Sequence, residues 1–351
     1  MSNMRNCKGY DLKEELLTSP QEIFTSIIKE VQRARESIDM EFYIFLGDRI
    51  GNTIASLLCR KARQGVRVRL MVDGYGSRDM PRSLRRRLLS NGVQLRIIHT
   101  LSHSRNHRKM VVVDQRVAFV GGINIADRYV VGNELGKWYD AVLRVTGTTV
   151  AELRQLFDYD FEATDSHSSP IIETSAHSPM LYWSESGGGG AMTRLLQDVI
   201  DSAESDITLT TPYFMPPQPT LQRLQQAVVR GVSIRIIVPH RCDIWLIDDV
   251  MRHSILEAQE LGIEIYLLNN AFIHAKLALV DSRRVVVGSA NLDARSLRLN
   301  RELMLSTFNR NTCTTAKLFL EELLQMATPA IESKIKCHLP RFISRTIRPL
   351  M

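Results

Sequence analysis

The same spacing of an imidazole, an ammonium and a carboxylate occurs twice in this chain. His107 is followed two residues on by Lys109 and five further on by Asp114, and His274, Lys276 and Asp281 repeat the arrangement. Beyond each aspartate comes a turn of small residues ending in asparagine, Gly121-Gly122-Ile123-Asn124 in the first copy and Gly288-Ser289-Ala290-Asn291 in the second. A single motif of this kind reads equally as a satisfied polar group beside a solvated charge. Two copies with matched tails point to function. Such a set suits phosphate chemistry. The ammoniums offset a phosphodiester's charge, and an imidazole with a pKa near ~6.5 serves as nucleophile when neutral and as acid when protonated. No metal-ligand cluster and no nucleotide fingerprint accompanies them, so the expected reaction uses neither metal nor cofactor, with Lys109, Lys276 and the asparagines neutralising charge instead.

The elements that must position these groups are themselves duplicated. Gly65 to Val72 recurs as Gly231 to Val238, and Ser37 to Phe45 is echoed by Asp206 to Phe214. In the first half the apolar periodicity predicts a helix over Ile23 to Arg35, a strand at Ile38, a helix over Ile54 to Arg63, a strand at Val66, a basic helix over Leu84 to Leu89 and a strand at Val93. Val111 to Val113 and Leu277 to Val280 read as the strands that carry the motifs, with His and Lys two apart and therefore on one face. Alternation of this kind predicts an α/β fold of two halves, each a mixed sheet covered by helices on both faces. Thr164 to Pro179 reads as a linker, which divides the chain into residues 1–170 and 171–351. Ser186 to Gly190 opens a helix over Met192 to Ala203 and serves either as a phosphate-binding turn or as a plain mobile one.

Composition narrows the partners. The chain has 351 residues, a formal charge of +7 and ordinary apolar content, which fits a globular protein with anionic partners, either nucleic acid or an acidic lipid surface. Its five cysteines are scattered and never in CxxC spacing, which supports neither a disulfide framework nor a zinc site and suggests a reducing compartment. No uncharged apolar run approaches the ~18 residues of a membrane span, and the first residues lack a signal-peptide core.

The doubled motif resembles the phospholipase D superfamily. The segments Met40 to Phe45, Val72 to Arg78, Thr211 to Phe214 and Arg295 to Glu302 are similar to those of bacterial cardiolipin synthases within it. The resemblance implies a pseudo-twofold molecule whose motif strands meet in one active site at the interface of the halves. It makes His107 and His274 the catalytic imidazoles, with His107 as nucleophile and His274 as acid. Lys109 and Lys276 would hold the phosphate, as would Asn124, Asn291 and Ser289. Glu302 falls where the family sets a carboxylate against the motif histidine, and Asp140 looks like its counterpart. Asp114 and Asp281, though part of the motif, are expected to serve structure. Gly122 departs from the serine of the second copy and leaves one hydroxyl missing.

The activity implied is transfer of a phosphatidyl group from one phosphatidylglycerol to another, giving cardiolipin and glycerol through a phosphohistidine. The alternatives are a hydrolytic phospholipase D and a nucleic-acid phosphodiesterase. An anionic phospholipid at a membrane surface is the expected partner, nucleic acid is not, and the expected place is the cytoplasmic face of the cell membrane. Family members commonly begin with membrane-spanning helices, whereas here the text starts almost at the catalytic region. Attachment is expected from a basic amphipathic tail, with Arg341, Arg345 and Arg348 opposite Ile343, Ile347 and Leu350. Arg82, Arg85, Arg86 and Arg87 read as a solvated face, and Trp245 and Leu246 as core packing rather than a lipid-facing loop.

Overall fold

A computed structural model describes residues 13–99, 104–162, 179–185, 190–331 and 335–348. The linker at 164–178, the glycines at 187–189 and Leu350 lie outside the described residues.

Two mixed sheets follow one strand order. In the first, Gln94–Ile98, Arg67–Asp73, Ser37–Phe42, Met110–Val113, Val117–Gly121, Val142–Thr146 and Glu14–Leu17 lie side by side. In the second, Glu264–Leu268, Ser233–Pro239, Asp206–Thr210, Leu277–Val280, Arg284–Gly288, Leu303–Thr307 and Met180–Trp183 repeat that order, and Ala327–Pro329 adds an outer edge. The first three strands of each series are parallel and the rest antiparallel. Ile38 pairs with Val113 and Ile207 with Val280, so the motif strands keep equivalent registers in both sheets.

Period-two alternation sends side chains of each motif strand into different layers. Val111 and Val113 face an outer core under the helices Pro20–Arg33 and Arg49–Arg63. Met110 and Val112 join Leu277, Leu279, Val285 and Val287 in a core that both halves share with the helices Thr148–Glu162 and Arg310–Met326. Each sheet thus has helices on both faces, but the inner faces of the two sheets also meet one another. The predicted helices are present as Pro20–Arg33, Arg49–Arg63, Arg82–Ser90 and Ala191–Asp201, each starting earlier than expected and the first and last also ending earlier. The second begins at Arg49 because Asp48 caps it by accepting the amide of Gly51.

Candidate active site

His107 and Lys109 precede the strand Met110–Val113, and His274 and Lys276 precede Leu277–Val280. The expectation that they sit on the strands is therefore corrected by a few residues. The reason is a reciprocal exchange between the halves. The amide of His107 donates to the carbonyl of Arg301, and the amides of His274 and Ala275 donate to the carbonyl of Tyr139. Ala271–Ile273 also pairs in parallel with Lys137–Tyr139. Each motif's entry is thus hydrogen-bonded to the other half before its own sheet begins.

The residue after each acceptor is a carboxylate. Glu302 places both oxygens 3.0 Å from Nδ1 of His107, and Asp140 places Oδ2 2.7 Å from Nδ1 of His274. An ionised carboxylate only accepts, so Nδ1 of each neutral ring carries the proton and Nε2 keeps the lone pair. Each half supplies the carboxylate for the other half's histidine, a crossing that the sequence spacing does not reveal.

Both rings line one cleft of about 490 Å³ together with Asn124, Asn291, Tyr129, Trp138 and Arg128. Tyr43 meets His107 edge-on at 5.0 Å between centroids, and Trp138 stacks on His274 at 5.6 Å. Lys109 and Lys276 each donate to the carbonyl of their own motif histidine at 2.5 Å. The Lys276 ammonium also lies 3.0 Å from Nδ1 and 3.1 Å from Nε2 of His274.

Burial dominates the electrostatics. It pushes His107 down to about 4 against the pull of Glu302, with Lys109 and Lys276 adding to the fall. His274 is driven well below its usual value, first by burial and then by Lys276, Lys109 and His107. Burial lowers Lys276 to about 8 although Asp140 and Glu302 oppose it, and it raises Asp140 to about 6 against Lys276. Burial also penalises the charge on Glu302, but His107, Lys109 and the Ser289 hydroxyl hold that carboxyl below its ordinary range. A phosphodiester anion entering between these cations would favour their charged forms.

The two copies differ where the sequence shows Gly122 against Ser289. The Ser289 hydroxyl donates to Glu302 at 2.5 Å and accepts from the Leu303 amide at 2.9 Å. Its one proton goes to the carboxylate, so in this arrangement it orients Glu302. At Gly122 a Cβ would stand 2.3 Å from Oδ1 of Asp140. The shorter acid has moved into the space a side chain would occupy, which accounts for the missing hydroxyl.

Asn124 accepts from the Ile44 amide at 3.0 Å and donates to the Tyr129 hydroxyl at 2.7 Å while lining the cleft. The Asn291 side-chain oxygen is buried without a partner among the described residues.

Asp114 and Asp281 lie at the far ends of the motif strands. Asp114 accepts the amides of Arg35, Glu36 and Ser37, and Asp281 those of Glu204, Ser205 and Asp206. Both sit at positive φ in the turn after the strand, a conformation aspartate tolerates. They tie that turn to the start of a neighbouring strand and take no part in the cleft.

Several residues that the spacing did not single out complete the site. Arg108, fully buried, bonds Asp160, donates to the Ser184 carbonyl at 2.7 Å and reaches the Glu302 carbonyl at 3.3 Å. Asn106 donates its amide to Asp73 at 2.9 Å and its side chain to Glu41 at 2.7 Å. The only sequence signal for Glu41 was an acid inside an apolar strand. Among the described residues no group of three or more His, Cys, Asp or Glu is placed to hold a metal ion.

Residues 27–161 and 196–326 match the family model described as cardiolipin synthase, PLD-like domain. The chain belongs to the phospholipase D-like family. A cardiolipin synthase of Alkalihalophilus pseudofirmus is 31% identical over 88% of this chain and 65% of its own length. Cardiolipin synthase A of Pseudomonas putida strain W619 is 32% identical over 96% of this chain and 74% of its own length. The chain thus spans 65% of the length of the first such relatives. The crystal structure of a Haemophilus influenzae phosphatidylserine synthase has the same fold, with a TM-score of 0.78, 16% identity, and coverage of 95% of this chain and 92% of that one.

The tail differs from expectation. The helix Arg341–Ile347 packs on the helix Trp245–Glu260, with Arg345 2.7 Å and Arg348 2.6 Å from Glu257 and Arg341 2.8 Å from Glu260. Its arginines are paired within the fold, so it is not a free basic face. In the basic cluster, Arg87 bonds the Asn52 side chain at 3.1 Å and Arg85 reaches the Ser77 carbonyl at 3.5 Å. Trp245, expected in the core, is 74% exposed.

Proposed function

We propose that this protein is a phosphatidyltransferase of the cardiolipin synthase kind, exchanging the alcohol on a phosphodiester through a covalent histidine intermediate. The observation that carries the reading is the pair of imidazoles in one cleft, each held at Nδ1 by a carboxylate from the opposite half. In the first step Nε2 of His107 attacks phosphorus and the phosphorus–oxygen bond to the departing glycerol breaks. Protonated His274 gives that oxygen its proton. In the second step neutral His274 takes the proton of the acceptor alcohol, whose oxygen attacks phosphorus and expels His107. With two phosphatidylglycerols the products are cardiolipin and glycerol.

The asymmetry of the copies favours His107 as nucleophile. Lys276 lies within 3.1 Å of both ring nitrogens of His274, where its positive charge makes protonated His274 a stronger acid toward the leaving oxygen. Glu302 is held in its ionised form and stabilises the positive charge that forms on His107 as it bonds phosphorus. On this reading Lys109 and Lys276 offset the charge of the phosphoryl oxygens, and Asn124 and Asn291, which line the cleft, donate to them. Among the described residues no helix is long and apolar enough to cross a membrane. The reading therefore has the described fold meet its lipid as a peripheral protein at the cytoplasmic face, where the described cysteines would stay free thiols.

The test is incubation with labelled phosphatidylglycerol, followed by acid-quench analysis of the protein. Labelled cardiolipin, together with label on His107 that accumulates in His274→Asn, is the expected result. Phosphatidic acid as the sole product would make water the acceptor. Inertness toward lipid with cleavage of single-stranded DNA would overturn the reading.

A further inference from the structure

The cleft has two equivalent rims. The strands Arg67–Asp73 and Ser233–Pro239 occupy the same place in the two sheets, and the loop that leaves each of them borders the cleft. Tyr75 lines it on one side, and Asp243, Ile244, Leu246 and Ile247 line it on the other. Each rim carries an exposed aromatic ring, Tyr75 early in the first loop at 55% and Trp245 at the start of the helix that follows the second at 74%, with Ile244 beside the tryptophan at 47%. Cations accompany both. Arg78 and Arg105 sit over the Tyr75 ring at 4.8 and 4.3 Å, and Arg241 is exposed in the second loop.

Neither loop is slack. Asp73 accepts the amides of Tyr75 and Gly76, and Ser77 bonds both Tyr43 and Phe45. In the second loop Cys242 donates its amide to Asp248 at 2.9 Å and the Tyr213 hydroxyl donates to Asp243 at 2.8 Å. Exposed apolar tips held by such bonds lose little further freedom on being buried, which is what a preorganised contact requires.

We propose that these two rims are a membrane-docking surface that seats the mouth of the cleft on an anionic phospholipid bilayer, with Trp245 and Ile244 on one side and Tyr75 with Arg78 on the other entering the headgroup region. The inference rests on the reading that the substrate is a bilayer phospholipid. Amphipathic rings suit the boundary between headgroups and hydrocarbon, and arginine suits lipid phosphates. The acids of the two rims are Asp73 and Asp79 on one side and Asp243 and Asp248 on the other. Among the residues that line the cleft, Arg105, Arg128 and Arg295 outnumber Asp243 and Asp293, and Arg78 and Arg241 stand exposed beside it. Both rims border one cleft, so a surface that meets both covers its mouth.

The test is cosedimentation of the full chain with vesicles of phosphatidylglycerol and phosphatidylcholine. Trp245→Ala should weaken binding by about tenfold, in line with the apolar area one indole removes from water. Arg78→Gln should weaken it further in the double variant, and Phe342→Ser on the docked terminal helix should leave it unchanged. Brominated acyl chains should quench tryptophan emission strongly in the parent and far less in Trp245→Phe, since Trp138 is buried and Trp183 is half-buried against the core between the sheets and does not line the cleft. Turnover of dispersed short-chain phosphatidylglycerol by Trp245→Ala should match the parent. If the parent turns over dispersed lipid but binds vesicles equally with or without Trp245, or not at all, docking by the rims is wrong and the catalytic reading stands. If the rims bind vesicles but neither dispersed nor vesicular lipid reacts, the catalytic reading fails and the docking surface stands. Retention of single-stranded DNA through Arg78 without vesicle binding would overturn the proposal.

Discussion

At the scale of single residues, the two catalytic halves solve one problem differently. Each imidazole needs a carboxylate at Nδ1. One half uses the longer Glu302 steadied by Ser289, and the other uses the shorter Asp140, which reaches its place because Gly122 leaves it room. Gly122→Ser should therefore displace Asp140 from His274 and lower kcat by about 10²-fold, within the range for loss of a positioned acid, while the melting temperature changes little. Restored activity on shortening the acid's partner, or no loss at all, would contradict this. The pH dependence follows from the same groups. Asp140 must be ionised, a form lost as pH falls through about 6, and Lys276 must be charged, a form lost as pH rises through about 8. The profile of kcat/KM, which reports the free enzyme, should be a bell with limbs near those values. Lys276→Arg should shift the alkaline limb upward, because guanidinium does not lose its proton in this range.

At the scale of elements, the segments entering the motif strands are held by buried polar groups rather than by the strands alone. Arg108 ties the entry of the first motif to Asp160 and to the carbonyls of Ser184 and Glu302. Arg108→Ala would leave Asp160 with the weaker support of Arg301 at 3.4 Å, and should cost about 3–5 kcal/mol in denaturant unfolding. Glu41, beneath Asn106, is raised to about 8 by burial and by the nearby charge of Asp160. The folded state keeps a proton that the unfolded chain gives up near its ordinary value of 4.5. This group's contribution is therefore full below the ordinary value and declines as pH rises toward 8. Glu41→Gln, which cannot ionise, should flatten that decline, so thermal melts at pH 5 and pH 8 should lie closer together in the variant than in the parent.

At the scale of the whole molecule, the halves are folded into one another. The core between the sheets draws Met110, Val112 and Val120 from one half and Leu277, Val285 and Val287 from the other. A half expressed alone would expose that apolar face and lack the carboxylate for its own histidine. Residues 1–170 and 171–351 should each be inactive and aggregation-prone alone, whereas co-expressed they should elute as one complex with activity restored. Activity from either half alone would contradict the crossed pairing of Glu302 with His107 and Asp140 with His274.

What the sequence determined by itself is whatever local period records. The doubled His-x-Lys spacing, the repeated strands and helices and the family resemblance all rest on residues close along the chain, where side-chain direction follows from backbone geometry. Even there the motif histidines fall before their strands, because the opposite half captures their amides. Only the tertiary structure decided which carboxylate serves which histidine, that Ser289 steadies an acid, that Arg108 joins the halves, that the terminal arginines are paired with Glu257 and Glu260, and that Trp245 is exposed beside residues lining the cleft. Those contacts join residues tens to nearly two hundred positions apart. They depend on how two sheets stack and cross, a relation that no spacing along one strand encodes.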